Sequence, residues 1–219
     1  MTMRKNIIAI DGPSASGKGT VARRLAEHFG YAYLDTGLLY RAFGLLAHEA
    51  GVNLDDAAAM TLFAAALPVS SITNRLNDPA LKGDVAAVAS SKSGAVPAVR
   101  AKLLHLQQDF ARTPPGGKKG AVLDGRDIGT VICPDAPVKI YVTANTETRA
   151  QRRWKELQGR GETATYANVL ADLQARDERD TKRAVAPALP ASDAVMLDSS
   201  NMTADEVFAE ALKIAKAKL

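Results

Sequence analysis

A glycine-rich segment near the amino terminus constrains the fold of this chain more than any other stretch. It follows the short, β-prone run IIAID at residues 7–11, and it precedes a stretch in which Val21, Leu25 and Phe29 recur at helical spacing. A strand, a glycine loop and a helix in this order are typical of a phosphate-binding loop. The residues of the predicted loop are Gly12, Pro13, Ser14, Ala15, Ser16, Gly17, Lys18, Gly19 and Thr20.

The chemistry of such a loop follows from its backbone. Glycines let the chain turn sharply enough for consecutive N–H groups to point into one concavity, and the open helix N-terminus adds further donors and partial positive charge. We expect Lys18 to reach the outer phosphates of a nucleotide. Ser or Thr usually follows the lysine directly, whereas Gly19 intervenes here, so Thr20 is the candidate metal-side or phosphate-side hydroxyl. The alternative is a strand-to-helix turn that binds nothing.

Further apolar runs predict the rest of the sheet. They lie at residues 31–34, 121–124, 138–142 and 194–198 and alternate with helical patterns. Five short strands separated by helices predict an α/β fold with a doubly wound parallel sheet, and 219 residues suit a single domain. Residues 69–73 favour an extra strand in an insertion outside this sheet. Helices are predicted after it, over about 85–91 and 98–111.

A highly charged segment follows the fourth predicted strand. Residues 149–183 are rich in arginine, with acidic residues interspersed, and Gly159 and Gly161 predict a turn between two helices. One interpretation is a pair of solvated surface helices. The position beside the phosphate loop favours a mobile lid, whose arginines would neutralise a transferring group and whose closure would exclude water.

Composition limits the class of partner. The net charge is +4 and the sequence pI about 9.2, which suits an anionic ligand but does not by itself indicate nucleic acid. Aromatic residues make up 5% of the chain, too few for a platform that stacks single strands. The single cysteine, Cys133, excludes an intrachain disulfide. Because residues 1–6 do not resemble a secretion signal and no apolar run is long enough for a membrane span, we expect a soluble, cytoplasmic protein without membrane partners.

The ends of the predicted strands carry the other candidate groups. Ligands collect at the carboxyl ends of parallel strands, and Asp35, Thr36 and Arg41 fall at one of these ends. Asp124 closes a buried strand, where a carboxylate either holds the hydration shell of a metal ion or caps a turn. The guanidiniums of Arg41, Arg126 and Arg183 exceed the positive charge that one bound nucleotide needs. A second, phosphorylated substrate would account for them.

These motifs resemble, over essentially the full length, the bacterial cytidylate kinases of the P-loop nucleoside monophosphate kinase group. The matching segments are IDGPSASGKGT at 10–20, LDTGLLYR at 34–41, DGRDIGTV at 124–131, PDAPVK at 134–139, RDERD at 176–180 and RAVAP at 183–187. The Gly-Lys-Gly-Thr ending of the loop is typical of monophosphate kinases. The DGRDIGTV and RAVAP segments are specific to this family.

The resemblance implies a P-loop NTPase domain over residues 1–219, with an acceptor-binding insertion at about 60–100 and a helical lid at about 149–183. It implies transfer of the ATP γ-phosphate to CMP or dCMP with Mg²⁺, by a protein that we expect to be a monomer. Lys18, Arg126 and Arg183 would be catalytic. The implied acceptor contacts are Thr36, Arg41, Arg126 and Arg183 to the phosphate, Ser91, Arg100 and Asp127 to the cytosine, and Arg176 and Asp180 to the sugar.

Several alternatives remain at this stage. Ser90 and Ser93 compete with Ser91 because the insertion fits the family pattern poorly, and Arg100 could be an ordinary surface charge on its helix.

Another kinase of this fold, acting on AMP, UMP, shikimate or dephospho-coenzyme A, would use the same loop. A nucleotide-binding switch protein would need no acceptor, although the Asn-Lys-x-Asp guanine motif is absent from the sequence. A nucleic-acid-binding module is suggested only by the basic pI.

Overall fold

The structure is a computed structural model that describes residues 6–219. The prediction about an amino-terminal secretion signal therefore lies almost entirely outside the described residues. The described strands are β1 Asn6–Asp11, β2 Ala32–Asp35, β3 Gly120–Gly125, β4 Val138–Thr143 and β5 Val195–Asp198. They form one sheet in the order β2-β3-β1-β4-β5, and every neighbouring pair is parallel. The predicted five-stranded parallel sheet is confirmed.

Helices connect the strands. They are α1 Lys18–Phe29, α2 Thr36–Glu49, α3 Ala57–Ala66, α4 Val69–Thr73, α5 Asp84–Ala95, α6 Pro97–Arg112, α7 Thr146–Gly159, α8 Tyr166–Lys182 and α9 Ala204–Lys218. Short 3₁₀ turns lie at Pro79–Lys82 and Pro115–Gly117, and a π-helical turn at Ile128–Ile132 follows β3. Among residues 6–219, no helix has both the length and the apolar character needed to cross a bilayer.

Hydrophobic side chains cover both faces of the sheet, as the alternation of a strand requires. Ile8 and Ile10 point to the face covered by α1 and α9, where they pack against residues such as Leu25. Ala9 points to the opposite face, where α2, α3 and α6 supply residues such as Phe43. Helices on both faces of a parallel sheet make this a doubly wound α/β fold.

The register of the strands brings three chain segments to one edge of the sheet. Asp11 is paired with Gly125 across β1 and β3, and Asp35 is paired with Asp124 across β2 and β3. The loop after β1, the start of α2 after β2 and the segment after β3 therefore emerge side by side. The carboxyl edge of a parallel sheet is where ligands bind in folds of this type.

The segment at 69–73 departs from its predicted conformation. It forms the short helix α4, with Pro68 at its N-cap, rather than a strand. β-branched residues favour a strand when they can pack on a pleated surface, but Val69 is exposed and only Ile72 is buried. The strand prediction was therefore wrong, and the region from α3 to α5 is helical. Helix α5 also extends beyond the predicted 85–91.

The charged segment forms two helices, as predicted. α7 ends at Gly159 and Gly161 has a φ of 75°, so the chain turns there before it enters α8. The two helices share a small hydrophobic cluster that includes Ala150, Leu157, Val169 and Leu173. Trp154 packs beside this cluster and donates a hydrogen bond of 2.9 Å from Nε1 to the Ala164 carbonyl. We refer to α7 and α8 together as the α7–α8 hairpin.

Candidate active site

The loop between β1 and α1 adopts a conformation that depends on glycine. Gly12 has a φ of 150°, and a Cβ at this position would lie 2.0 Å from the Val142 carbonyl oxygen. Gly17, at the N-cap of α1, has a φ of 88°. Ala15 also has a positive φ, of 59°, which is rare for a residue with a side chain. This backbone is held in a special conformation directly at the N-terminus of α1, as an anion-binding loop requires.

Lys18 opens α1 and lies over the loop. Its Nζ donates a hydrogen bond of 3.3 Å to the Pro13 carbonyl. Burial lowers the pKa of Lys18, and the nearby Arg126 guanidinium lowers it further. The ammonium group therefore lacks sufficient compensating negative charge in the ligand-free protein. An anion bound in the loop would supply that charge and stabilise the protonated lysine.

Asp124, at the end of β3, lies against the same loop. Its Oδ2 accepts a hydrogen bond of 2.9 Å from the Tyr33 hydroxyl, and its backbone carbonyl accepts one of 2.7 Å from Thr36 Oγ1. A Cβ on Gly19 would lie 3.1 Å from Asp124 Oδ2, so a serine or threonine here would crowd the carboxylate. This contact gives a physical reason for the glycine that follows the lysine. Burial, together with the Asp35 carboxylate, raises the pKa of Asp124.

The two metal candidates from the sequence differ in position. Asp124 lines the main cleft together with Asp35, whereas Thr20 is exposed and does not line it. Within residues 6–219, no group of three or more His, Cys, Asp or Glu side chains could enclose a metal ion. Mg²⁺ commonly keeps several waters and binds through one or two carboxylates together with substrate phosphates. The Asp35–Asp124 pair fits that mode of binding.

Two buried carboxylates on the other side of the cleft bind several arginines. Asp127 contacts Arg100 in a direct ion pair and lies 3.6 Å from Arg183 Nη2 through its Oδ1. Asp180 Oδ2 accepts a hydrogen bond of 3.0 Å from Arg126 Nε. The interpretation of Arg100 as a surface charge is therefore wrong, because its partner Asp127 holds it in the interior.

Arg126 also reaches the phosphate loop. Its Nη2 donates a hydrogen bond of 2.9 Å to Ser14 Oγ, so one guanidinium contacts both the loop and Asp180 on α8. Two further arginines lie nearby with fewer partners. Arg176 Nε is buried, makes no hydrogen bond and lies 3.9 Å from Asp180 Oδ2, while Arg41 Nη1 donates to the Leu81 carbonyl at 2.6 Å. Burial and then Arg126 lower the pKa of Arg176 to about 9.

Arginines thus outnumber carboxylates around this part of the cleft. A guanidinium that is buried without a full set of acceptors is costly, and its usual partners are carboxylates and phosphates. The arrangement is suited to a ligand that carries a phosphate group.

A cavity of about 720 Å³ joins the two sides. All nine residues that the resemblance assigns to the acceptor line it: Thr36, Arg41, Ser91, Arg100, Arg126, Asp127, Arg176, Asp180 and Arg183. Ser14, Ala15, Lys18 and Gly19 line it from the phosphate loop, whereas Gly12, Pro13, Ser16, Gly17 and Thr20 do not. Of the competing serines, Ser90 lines the cavity with Ser91, and Ser93 is buried outside it.

Three residues near the loop were given no individual role in the interpretation of the sequence. Asp11 is buried and accepts hydrogen bonds from two backbone amides beyond Asp127. Arg149 Nη1 donates to the Ser14 carbonyl at 3.3 Å, and Arg152 Nη1 approaches the Ser16 carbonyl at 3.5 Å. The arginine density of 149–183 was a general signal for the last two. No sequence signal links Asp11 to amides more than 100 positions away.

The three histidines and the cysteine lie away from the cleft. His28, His48 and His105 are exposed on helices. Cys133 is buried, and burial raises the pKa of its thiol to about 12, which leaves it uncharged at neutral pH. It is a small residue of the core.

Comparisons with known proteins agree with this geometry. The profile of the family described as cytidylate kinase matches residues 8–217. A curated cytidylate kinase of Paramagnetospirillum magneticum is 56% identical over 212 residues, covering 97% of this chain and 98% of the relative. One of Rhodospirillum rubrum is 54% identical over 208 residues, covering 95% and 96%.

A solved structure supports the fold independently. The crystal structure of an uncharacterized protein from Eubacterium ventriosum is similar with a TM-score of 0.55, covering 96% of this chain and 98% of that chain. It is 15% identical in sequence. At that identity the likeness concerns the fold alone.

Proposed function

The chain belongs to the cytidylate kinase family, and we propose that it transfers the γ-phosphoryl group of ATP to CMP or dCMP, giving ADP and CDP or dCDP. One observation carries this proposal. A single cleft has a phosphate loop with its lysine on one side and a surplus of arginines on the other. A cleft with two sites for phosphate groups is what a transfer between two nucleotides requires.

The donor would occupy the phosphate loop. The backbone N–H groups of residues 14–20 and the side chain of Lys18 would hold its outer phosphates. Asp124 would hold Mg²⁺, directly or through water, with Asp35 beside it. When bound, the metal ion would neutralise negative charge on the donor phosphates. Tyr33 would keep the Asp124 carboxylate in place through the hydrogen bond from its hydroxyl.

The acceptor phosphate would lie among Thr36, Arg41, Arg126 and Arg183. Arg126 already contacts Ser14 on the donor side and Asp180 on the acceptor side, so it would lie between the two phosphates. Its charge would then oppose the negative charge that spreads over the oxygens of the transferring group. We assign Lys18, Arg126 and Arg183 as the catalytic residues on this basis.

The base and the sugar would occupy the far end of the cleft. Cytosine presents an amine donor beside a ring nitrogen and a carbonyl acceptor, which suits the carboxylate of Asp127, the guanidinium of Arg100 and the hydroxyl of Ser91. Uracil has a carbonyl in place of the amine and would leave Asp127 facing an acceptor. Arg176 and Asp180 would contact the sugar.

The α7–α8 hairpin would act as a lid, and residues of about 60–100 would form the acceptor-binding part of a single domain. Arg153, on α7, already contacts Asp84 at the start of α5, with 2.9 Å between Nη2 and Oδ1. Closure would exclude water from the transferring group. The monomeric state and the cytoplasmic location stay predictions.

The reaction depends on alignment and charge neutralisation more than on proton transfer. The attacking group is an oxygen of a phosphate monoester, which is already anionic near neutral pH. Phosphoryl transfer then depends on bringing two anions in line, and the protein contributes by positioning them and opposing their repulsion.

A panel of acceptors tests the proposal. With ATP and Mg²⁺, we expect transfer to CMP and dCMP with kcat/KM well above that for UMP, AMP, shikimate and dephospho-coenzyme A. Preference for AMP over CMP would contradict the assignment. ATP hydrolysis without transfer to any acceptor would favour a nucleotide-binding switch instead.

A further inference from the structure

Asp11 links the phosphate loop to the segment that follows β3. It is the last residue of β1 and is buried, with 5% of its surface exposed. Its Oδ1 accepts a hydrogen bond from the Ile128 amide and its Oδ2 one from the Gly129 amide, each 2.8 Å long. We call this pair of hydrogen bonds the Asp11 clamp.

The Asp11 clamp fixes the positions of Arg126 and Asp127, the two residues before Ile128. Gly125 is held in the sheet opposite Asp11, and the amides of Ile128 and Gly129 are held by the carboxylate. Arg126 and Asp127 lie between these two anchor points. Because Asp11 is covalently joined to Gly12, the same residue begins the phosphate loop and sets the position of Arg126 and Asp127.

Both carboxylate oxygens are used, and this explains why an acidic residue occupies the position. An asparagine of the same shape would offer one acceptor oxygen, and its NH₂ group would face the second backbone N–H. Burial raises the pKa of Asp11 to about 6 against the effect of the two hydrogen bonds. The protein therefore retains a carboxylate where burial disfavours its charge.

The surroundings of Asp11 include charged and titratable groups from several elements. Asp127 and then Arg126, on the segment after β3, act on its ionisation. Tyr141 on β4 and Cys133 after the π-helical turn lie within its electrostatic reach. Arg126 is the positively charged group that acts on the Asp11 carboxylate. Its direct ion-pair partner is Asp180, so Asp11 is held by the two amides and not by an ion pair with Arg126.

We propose that Asp11 is a positioning residue that holds Asp127 and Arg126 in register with the phosphate loop and thereby sets the discrimination between cytosine and uracil. This inference rests on the proposed function. It assigns to Asp11 no contact with either nucleotide. Its effect passes through the backbone of residues 126–129.

The variant Asp11→Asn tests the proposal, with kcat/KM measured for CMP and for UMP. We expect the CMP-to-UMP ratio to fall about tenfold or more, mainly through a higher KM for CMP. Asp56→Asn is a matched control. Asp56 also accepts hydrogen bonds from two backbone amides, those of Ala58 and Ala59, at 2.9 and 3.0 Å. It is, however, an exposed helix cap outside the cleft. It should leave the ratio unchanged.

A second variant keeps the test decisive if Asp11→Asn does not fold. A Cβ at Gly129 would lie 3.4 Å from Asp11 Oδ2 and 3.1 Å from Cδ of Lys139, a buried side chain whose Nζ is held by Asp193. Gly129→Ala should displace the clamp slightly and shift the ratio in the same direction by a smaller factor.

The outcomes separate the two levels of inference. A wild-type ratio in the folded variants, with only a lower melting temperature, would overturn the positioning role and leave the proposed function intact. A wild-type protein without preference for CMP over UMP would overturn the proposed function and the role of Asp11 with it. A ratio that falls in Asp11→Asn and not in Asp56→Asn supports both.

Discussion

Arg126 and Asp180 form a buried ion pair across the cleft, with 3.0 Å between Nε and Oδ2 and side chains 14% and 10% exposed. The pair joins the segment after β3 to α8 in the α7–α8 hairpin. The same carboxylate oxygen lies 3.9 Å from Arg176 Nε. One acidic side chain therefore stabilises two guanidiniums, and its loss would remove the nearest negative charge from both.

Replacing this carboxylate should destabilise the ligand-free protein. For Asp180→Asn we expect a loss of about 3–5 kcal/mol in the free energy of unfolding, because breaking a buried pair leaves an uncompensated charge. Inorganic phosphate should raise the melting temperature of the variant more than that of the wild type. Asp205→Asn, which breaks an exposed pair with Arg24, should cost less than about 1 kcal/mol. Equal losses in the two variants would contradict this account.

Loss of the loop lysine should abolish most turnover. Lys18→Ala removes the cation expected at the outer donor phosphates, and we expect kcat to fall by about 10²–10³ with CMP as acceptor. Steady-state kinetics with ATP and CMP measure the effect. Lys118→Ala, on an exposed loop, serves as the control. A near-normal rate in Lys18→Ala would mean that the loop does not act on the phosphates.

Asp127 should determine which pyrimidine is accepted. Asp127→Ala removes the carboxylate that would accept a hydrogen bond from the cytosine amine, so kcat/KM for CMP should fall by about 10²-fold and that for UMP much less. The comparison is made with both acceptors at saturating ATP. Equal losses for CMP and UMP would instead assign Asp127 a structural role as the partner of Arg100.

The buried carboxylate of Asp11 should give stability a specific pH dependence. Its pKa is raised from 3.8 to about 6, so between these pH values the folded state holds a proton that the unfolded state has lost. The free energy of unfolding must then decrease as pH rises through this window, by up to about 3 kcal/mol from this group.

Denaturant titrations of the wild type and of Asp11→Asn at pH 4 and pH 7 measure this contribution. Other carboxylates are present in both proteins and largely cancel in the difference. The stability of the wild type relative to the variant should fall between pH 4 and pH 7. A difference that stays constant would show that Asp11 has an ordinary pKa.

Local sequence signals predicted much of the fold. The glycines and lysine of residues 12–20 act through backbone geometry and one helix terminus, which the local sequence indicates directly. The apolar runs of β1, β3 and β4 predicted buried strands because parallel strands are covered on both faces. The acceptor residues were identified by resemblance to a family, and the structure brings them into one cavity.

Long-range contacts account for what the sequence could not predict. Arg100 lies off the centre of the apolar face of its helix, and its burial depends on distant partners, above all the ion pair with Asp127. Val69 and Ile72 favour a strand by residue type, but the segment packs against α2 as the short helix α4. Asp11 accepts hydrogen bonds from the amides of residues 128 and 129. Because nearly every residue type has a backbone amide, the side chains at these positions do not indicate such a contact.

The shared hydrophobic cluster of α7 and α8 has a consequence for how the two nucleotides affect each other. Arg149 and Arg152 on α7 reach the backbone of the phosphate loop, while Arg176 on α8 lines the acceptor side, and the cluster ties these helices together. Any ligand that moves the α7–α8 hairpin must therefore change the positions of its arginines relative to both substrates. By thermodynamic reciprocity, occupancy of either half of the cleft then changes the affinity of the other by the same factor.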